Sequence, residues 1–129
     1  MAKTRVVAAV IQREDKFFVC LRPESKRHGG MWEFPGGKLA SGESLAEAAE
    51  RELSEELSLK LDSAGEVIYS ATDPGSDFII EFIPVAVTGD FVLHEHEAVR
   101  WASLEELEQM KLAPTDTVFV HHLKDEDNR

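Results

Sequence analysis

A chain of 129 residues makes one domain of ordinary size, able to bury about two-thirds of the surface its unfolded form exposes. Hydrophobic residues at 43% argue for a globular fold rather than disorder. The formal net charge of −11 excludes non-specific binding to nucleic-acid polymers and to anionic membranes. An anionic substrate would need local positive charge, from a metal or from a few placed Lys and Arg. Cys20 is the only cysteine, so no intrachain disulfide forms, and a reducing cytoplasm is the expected location. No stretch is long and apolar enough to span a membrane, and the N-terminus lacks a signal-peptide cleavage pattern.

Taken in order, Arg5 to Gln12 is a continuous apolar run with β-branched residues, which predicts a strand buried on both faces. Glu14-Asp15 makes the turn and Phe17 to Arg22 returns as a second strand, with Cys20 packed inside it. Pro23 to Met31 is polar and glycine-bearing, hence a loop, with a basic cluster at Lys26, Arg27 and His28. Trp32-Glu33-Phe34-Pro35 leads into Gly36 and Gly37, which tolerate close approaches that a side chain would block. Aromatics flanking Glu33 suggest where a base ring could stack, although Trp32 reads better as core. Lys38 follows the glycines and can reach a phosphate as a point charge.

Ser44-Leu45-Ala46-Glu47 is a capping-box pattern, so a helix begins near Ser44. Ala48, Ala49, Leu53 and Leu57 recur at helical spacing and should face the core. Glu47, Glu50 and Arg51 fall on the outer side, where Glu47 and Arg51 can pair at i,i+4. Glu52 and Glu56 do not: they sit about 40° apart and flank the direction of Leu45, interrupting the apolar face. Like charges at this spacing repel, and partial burial sharpens the conflict. A shared divalent cation would remove it, and Mg²⁺ suits hard oxygen ligands that also face substrate phosphates.

Beyond the helix, Glu66 to Ala71 reads as a strand and Asp73 to Asp77 as a turn. Phe78 to Thr88 is a long strand with a bulge or edge expected at Pro84. Short strands are expected at Phe91–Leu93 and Ala98–Trp101. Ser103-Leu104-Glu105-Glu106 is a second capping box, opening a helix to about Met110. Thr115 or Asp116 caps a last helix through Leu123, with Val118, Phe119 and Leu123 inward. The elements predict a single α/β domain over 1–124, a mixed sheet between helices in a three-layer α/β/α sandwich, and a disordered tail at 125–129. His94-Glu95-His96-Glu97 hints at zinc, but no third soft ligand is evident, Cys20 is remote, and i,i+2 residues share a face only on a regular strand.

Gly37, Glu43, Arg51, Glu52, Leu53, Glu55, Glu56 and Leu59 stand at the spacing of the Nudix box, and the segment resembles that family. The one departure is Ser58, where the family has a glycine that ends the helix in a left-handed conformation. The resemblance extends from VVAAVI through WEFPGGK and HEHEAVRW to LAPTD, within the MutT-like branch. It is nearest to the bacterial CTP pyrophosphohydrolases, and it implies the same sandwich fold. It also implies a nucleoside triphosphate substrate, Mg²⁺ with Mn²⁺ as a substitute, and hydrolysis to nucleoside monophosphate and pyrophosphate in nucleotide-pool sanitation. The ligand set implied is the Gly36 carbonyl with Glu52, Glu55, Glu56 and Glu95, the last placed by its spacing from Trp101, with Glu97 as fallback. Glu52 is the first choice for the base and Glu95 the second, while Arg51 orients neighbouring carboxylates. Arg22, Glu33, Phe34, Gly37, Lys38, Phe78 and Asp116 are the implied substrate-binding residues.

Guanine-specific relatives carry asparagine in place of Asp116. An ionised carboxylate only accepts hydrogen bonds, so Asp116 would suit a base edge with an exocyclic amine, favouring cytosine; a plain helix cap is the alternative. Competing readings are an 8-oxo-dGTP diphosphatase, a sugar-nucleotide or dinucleoside pyrophosphatase, and a non-catalytic nucleotide-binding module. The intact glutamates count against the last, and the short N-terminus counts against ADP-ribose enzymes. A monomer or homodimer is expected.

Overall fold

The apolar run near the N-terminus is the spine of the sheet. In the structure, a computed structural model describing residues 3–127, it forms β1 (Thr4–Arg13). A turn with Glu14 at positive φ leads into β2 (Lys16–Leu21). The chain continues through β3 (Trp32–Glu33), β4 (Gly36–Lys38) and α1 (Leu45–Leu57). Next come β5 (Lys60–Ala64), β6 (Tyr69–Thr72), β7 (Phe78–Thr88) and β8 (Ala98–Ala102). Two helices, α2 (Leu104–Gln109) and α3 (Pro114–Asp127), complete the described residues.

β1 runs parallel to β7 from Thr4↔Phe78 to Ile11↔Val85 and antiparallel to β4 at Val6–Ala8. Its far end pairs with β2, which carries β3 and β8 antiparallel. β5 and β6 both pair antiparallel with β7. One parallel pair in an otherwise antiparallel set makes the sheet mixed, as expected.

Strand alternation divides the core into two faces. Ala8, Val10, Phe17 and Val19 face one side with Phe82, Leu107, Phe119 and Val120, under α2 and α3. Ala9, Ile11, Phe18 and Cys20 face the other with Leu53 and Leu57 of α1. Helices therefore cover both faces, giving the three-layer α/β/α sandwich. Both capping boxes form: Ser44 Oγ accepts from Glu47 N at 3.1 Å and Ser103 Oγ from Glu106 N at 3.2 Å.

Several elements differ from expectation. β5 was not foreseen, because Lys60–Ala64 lies exposed at an edge and carries little apolar periodicity. Phe91–Leu93 is not a strand; Val92 N instead donates to Leu57 O and His94 N to Glu56 O, so the segment hangs on the last carbonyls of α1. Pro84 makes neither an edge nor a bulge. It falls between the part of β7 paired with β6 and the part paired with β5, and the register shift lies at Leu61/Ser63. The last helix starts at Pro114, whose fixed φ and missing N–H suit a first helical position, so Asp116 lies inside the first turn rather than capping it. Val118 is 46% exposed instead of inward. α3 continues to Asp127, past the expected end at Leu123, and positions 128–129 lie outside the described residues.

α3 is anchored by aromatic packing. Phe119 stacks on Phe82 of β7 at 4.1 Å between centroids and meets the edge of Phe34 at 5.2 Å. All three rings are buried. Phe119→Ala should cost about 3–5 kcal/mol of stability, the usual range for emptying a buried aromatic site, read as a fall in denaturant midpoint at unchanged slope. A loss under about 1 kcal/mol would show that α3 docks without this ring.

Candidate active site

The two glycines are strand residues because their neighbours leave no room for a side chain. A Cβ on Gly36 would strike the carbonyl oxygen of Val7 across the sheet, and one on Gly37 would lie 2.5 Å from the Glu52 carboxyl carbon. β4 thus carries Gly36 and Gly37 directly against the acidic face of α1. Arg51 ties the two elements together. Its guanidinium grips Glu43 through Nε at 2.8 Å and Nη2 at 2.9 Å, donates to Lys38 O at 3.0 Å, and donates from Nη1 to Glu52 Oε1 at 2.8 Å. The Arg51 hydrogen bonds, helped by the backbone N–H of Ala40, hold the Glu43 carboxyl down to about 2. Glu47 is used by the capping box and does not pair with Arg51.

Glu56 is the carboxylate that the fold handles least comfortably. It is 6% exposed. Burial first, then a hydrogen bond and charge from Glu52, then the charges of Glu33 and Glu95, push its carboxyl well above the usual range. Burial beside Glu52 therefore favours the protonated form of Glu56, because crowded carboxylates resist being charged together. Glu55 lies outside the pair: its side chain is 62% exposed, 3.6 Å from Arg51. Among the described residues no three acidic, His or Cys side chains form a ready-made ligand cage. The donor set nonetheless fits a hard divalent cation, because a metal shared by the buried Glu56 and the half-buried Glu52 would offset the crowding of their carboxyls.

A cleft of about 150 Å³ opens over this pair, lined by Gly36, Glu52, Glu56, Glu95 and His96. Glu95 therefore comes to the box glutamates, whereas Glu97 does not line the cleft. The histidines diverge. His94 Nε2 meets Ser58 Oγ at 2.8 Å, while buried His96 places Nε2 3.0 Å from Glu33 and 3.8 Å from Glu56. No paired-histidine zinc site arises from them. Ser58 takes the left-handed conformation the family glycine would supply, with φ 57°, and its N–H still caps Leu53 and Ser54. A non-glycine residue there costs about 1 kcal/mol.

Arg22 and Glu33 form the wall between this cleft and a second one. Arg22 Nη1 lies 2.9 and 3.0 Å from the two Glu33 oxygens, and its Nε donates to Arg27 O. The second cleft, about 240 Å³, is lined by Lys38, Phe78, Arg27, His28 and Asp116 among others. Lys38 Nζ stands 4.9 Å from the Phe78 ring. Phe34 does not line either cleft: its ring is 3% exposed in the core, and only its N–H reaches Asp116 Oδ1, at 3.3 Å. Trp32 packs against the same core. Asp116 lines the second cleft as a buried carboxyl. Burial, then the charge of Glu33, push its carboxyl well above the usual range despite the Phe34 N–H. Burial therefore favours the uncharged acid, which can donate as well as accept.

Sequence reasoning missed Asp73 and His96 as parts of these walls. Asp73 is a buried carboxylate that reads in the sequence only as a turn residue. His96 stands out in the sequence only as part of the His94–Glu97 run, where it hints at zinc rather than at a wall contact.

A profile of the NUDIX domain matches residues 2–123. The chain belongs to the Nudix family. Among similar proteins is the CTP pyrophosphohydrolase of Escherichia coli, 40% identical over 119 residues, covering 90% of this chain and 87% of that protein. A putative 8-oxo-dGTP diphosphatase 2 of Mycobacterium tuberculosis is 31% identical over 124 residues, covering 92% and 86%. The crystal structure of a MutT protein from Methanosarcina mazei superposes with a TM-score of 0.83 at 27% identity, covering 99% of this chain and 97% of that one. The chain is thus a Nudix hydrolase, of a family that generally uses a divalent cation. No helix among the described residues is long and apolar enough to cross a membrane.

Proposed function

We propose that this Nudix hydrolase cleaves nucleoside triphosphates to the monophosphate and pyrophosphate with Mg²⁺, Mn²⁺ serving as a substitute. The observation that carries the reading is the crowded Glu52–Glu56 pair in a cleft that shares its Arg22–Glu33 wall with a second cleft of mixed aromatic and polar lining. Glu52, Glu55, Glu56, Glu95 and the Gly36 carbonyl would hold the cation. When bound, it supplies charge neutralisation at the phosphate oxygens and lowers the pKa of water. Arg22 and Lys38 bind the phosphate chain, and positioning with charge stabilisation provides most of the rate. Glu52 takes the proton from the attacking water, with Glu95 as the nearby second carboxylate. Arg51, held by Glu43, fixes Glu52 for that task.

The second cleft takes the base, against Phe78 and within reach of Asp116. Cytosine stands first among bases because the 40%-identical relative is a CTP pyrophosphohydrolase. An 8-oxo-dGTP diphosphatase is the second reading, favoured by the Mycobacterium tuberculosis relative. A panel of CTP, dCTP, 8-oxo-dGTP and UTP with Mg²⁺, scored by kcat/KM, decides between them. A preference for 8-oxo-dGTP over dCTP would reverse the order, and no hydrolysis of any triphosphate would refute both.

Glu52→Gln keeps the shape and removes the base. It should lower kcat by roughly 10²- to 10⁴-fold, the range for losing a positioned acid–base group, with the fold intact by circular dichroism. Wild-type kcat at saturating Mg²⁺ would move the base to another residue.

Asp116 gives the second test. An uncharged acid and an amide both offer a donor and an acceptor, so Asp116→Asn should hold kcat/KM within about threefold for every nucleotide, well under one lost hydrogen bond. Asp116→Leu should cost roughly 10- to 100-fold, unequally among bases, because buried partners lose a hydrogen bond. Equal losses across all nucleotides would remove Asp116 from base reading.

A further inference from the structure

We propose that Asp73 is a positioning residue that sets base selectivity, by clamping the Pro23–Met31 loop to the first turn of α3 across the second cleft. The inference rests on the reading of that cleft as the base site. Asp73 directly follows β6 and is 3% exposed. Its Oδ2 accepts from Arg27 Nη2 at 3.0 Å and lies 3.2 Å from His28 Nε2. Its Oδ1 accepts from Thr115 Oγ1 at 2.7 Å. One carboxylate therefore joins three segments that are far apart in sequence.

Each partner bears on the cleft. Arg27 and His28 line it directly. Arg27 also donates to Pro74 O at 3.1 Å and sits over the Phe78 ring at 6.0 Å. Its carbonyl receives Arg22 Nε, so the same loop steadies the Arg22–Glu33 wall. On the other side, Thr115 precedes Asp116 in the chain, and holding its hydroxyl fixes the backbone that presents Asp116. His28 sits in the left-handed region at φ 58°, a conformation that strains a non-glycine residue. Such strain persists where the surroundings over-determine it, and the Asp73 contact does so here. Although burial works against its charge, hydrogen bonds from Thr115, His28 and Arg27 hold the Asp73 carboxyl below its ordinary value. No other Asp or Glu among the described residues hydrogen-bonds to Arg27, His28 or Thr115.

Two substitutions open the clamp from opposite sides. Asp73→Asn keeps an acceptor for Thr115 and turns an amide donor toward Arg27 and His28. Thr115→Val keeps the volume and drops the bond to Asp73, while Thr115→Ser retains the hydroxyl. In the full-length enzyme, Asp73→Asn and Thr115→Val should each raise KM for the nucleotide that wild type prefers by roughly tenfold, the effect of one lost charged hydrogen bond. The preference over the other nucleotides of the panel should shrink in proportion, with kcat held within about threefold, and Thr115→Ser should behave as wild type. A purely structural role would lower kcat equally for all nucleotides, through a smaller folded fraction, and would overturn the proposal. If Asp73→Asn does not fold, the Thr115→Val and Thr115→Ser pair decides. A wild-type preference that survives Thr115→Val unchanged overturns the clamp alone. A wild type without base preference overturns the base-site reading and the clamp with it.

Discussion

Two carboxyl groups forced together at a buried helix face are the constraint around which this molecule is arranged. Glu52 and Glu56 lie one helical turn apart, and Glu56 is as buried as many core residues. Ionised together, they would repel in a poorly solvated place. The remaining features near them supply what that placement needs. Glycines bring the β4 backbone close, Arg51 holds Glu52 from the outer side, and His96 approaches Glu56 and Glu33 in the wall of the cleft. The helix itself is secured at one end by the capping box and at the other by left-handed Ser58.

The same economy of charge extends outward. An overall charge of −11 repels triphosphates at a distance, so attraction must be local. The side chains lining the two clefts include Arg22, Lys26, Arg27 and Lys38. Arg22 is engaged by Glu33, and Arg27 by Asp73, which fixes the orientation of both cations before any anion arrives. Preorganisation of this kind reduces the ordering cost of binding. It also links the walls of the two clefts, since Arg22 Nε donates to the Arg27 carbonyl.

Much of this was legible in the sequence where local chemistry and long-range packing agree. Ser44 and Ser103 cap helices because their boxes are self-contained. Ala48, Ala49, Leu53 and Leu57 pack inward because helical periodicity decides it. The misplacement of Glu52 and Glu56 on the apolar face was readable from the same geometry. Legibility ended where a residue acts through a distant partner. Asp73 looks like a turn residue until Arg27, His28 and Thr115 converge on it. Asp116 looks like an ionised acceptor or a cap, and the upward push on its carboxyl follows only from its burial near Glu33. Phe34 looks like a stacking platform beside the glycines, but the sheet turns its ring into the α3 side of the core. Lys60–Ala64 pairs with β7 with little intrinsic pattern, so no sequence periodicity announces it.

The most direct measurement of the central claim is cation dependence in a stripped enzyme. Protein treated with excess chelator should fail to hydrolyse CTP and should regain turnover on addition of Mg²⁺ or Mn²⁺. Mn²⁺ binding followed by electron paramagnetic resonance should saturate in the wild type and weaken in Glu56→Gln. Full turnover in excess chelator, or Mn²⁺ binding unaffected by Glu56→Gln, would contradict the assignment of the glutamate pair to a divalent cation.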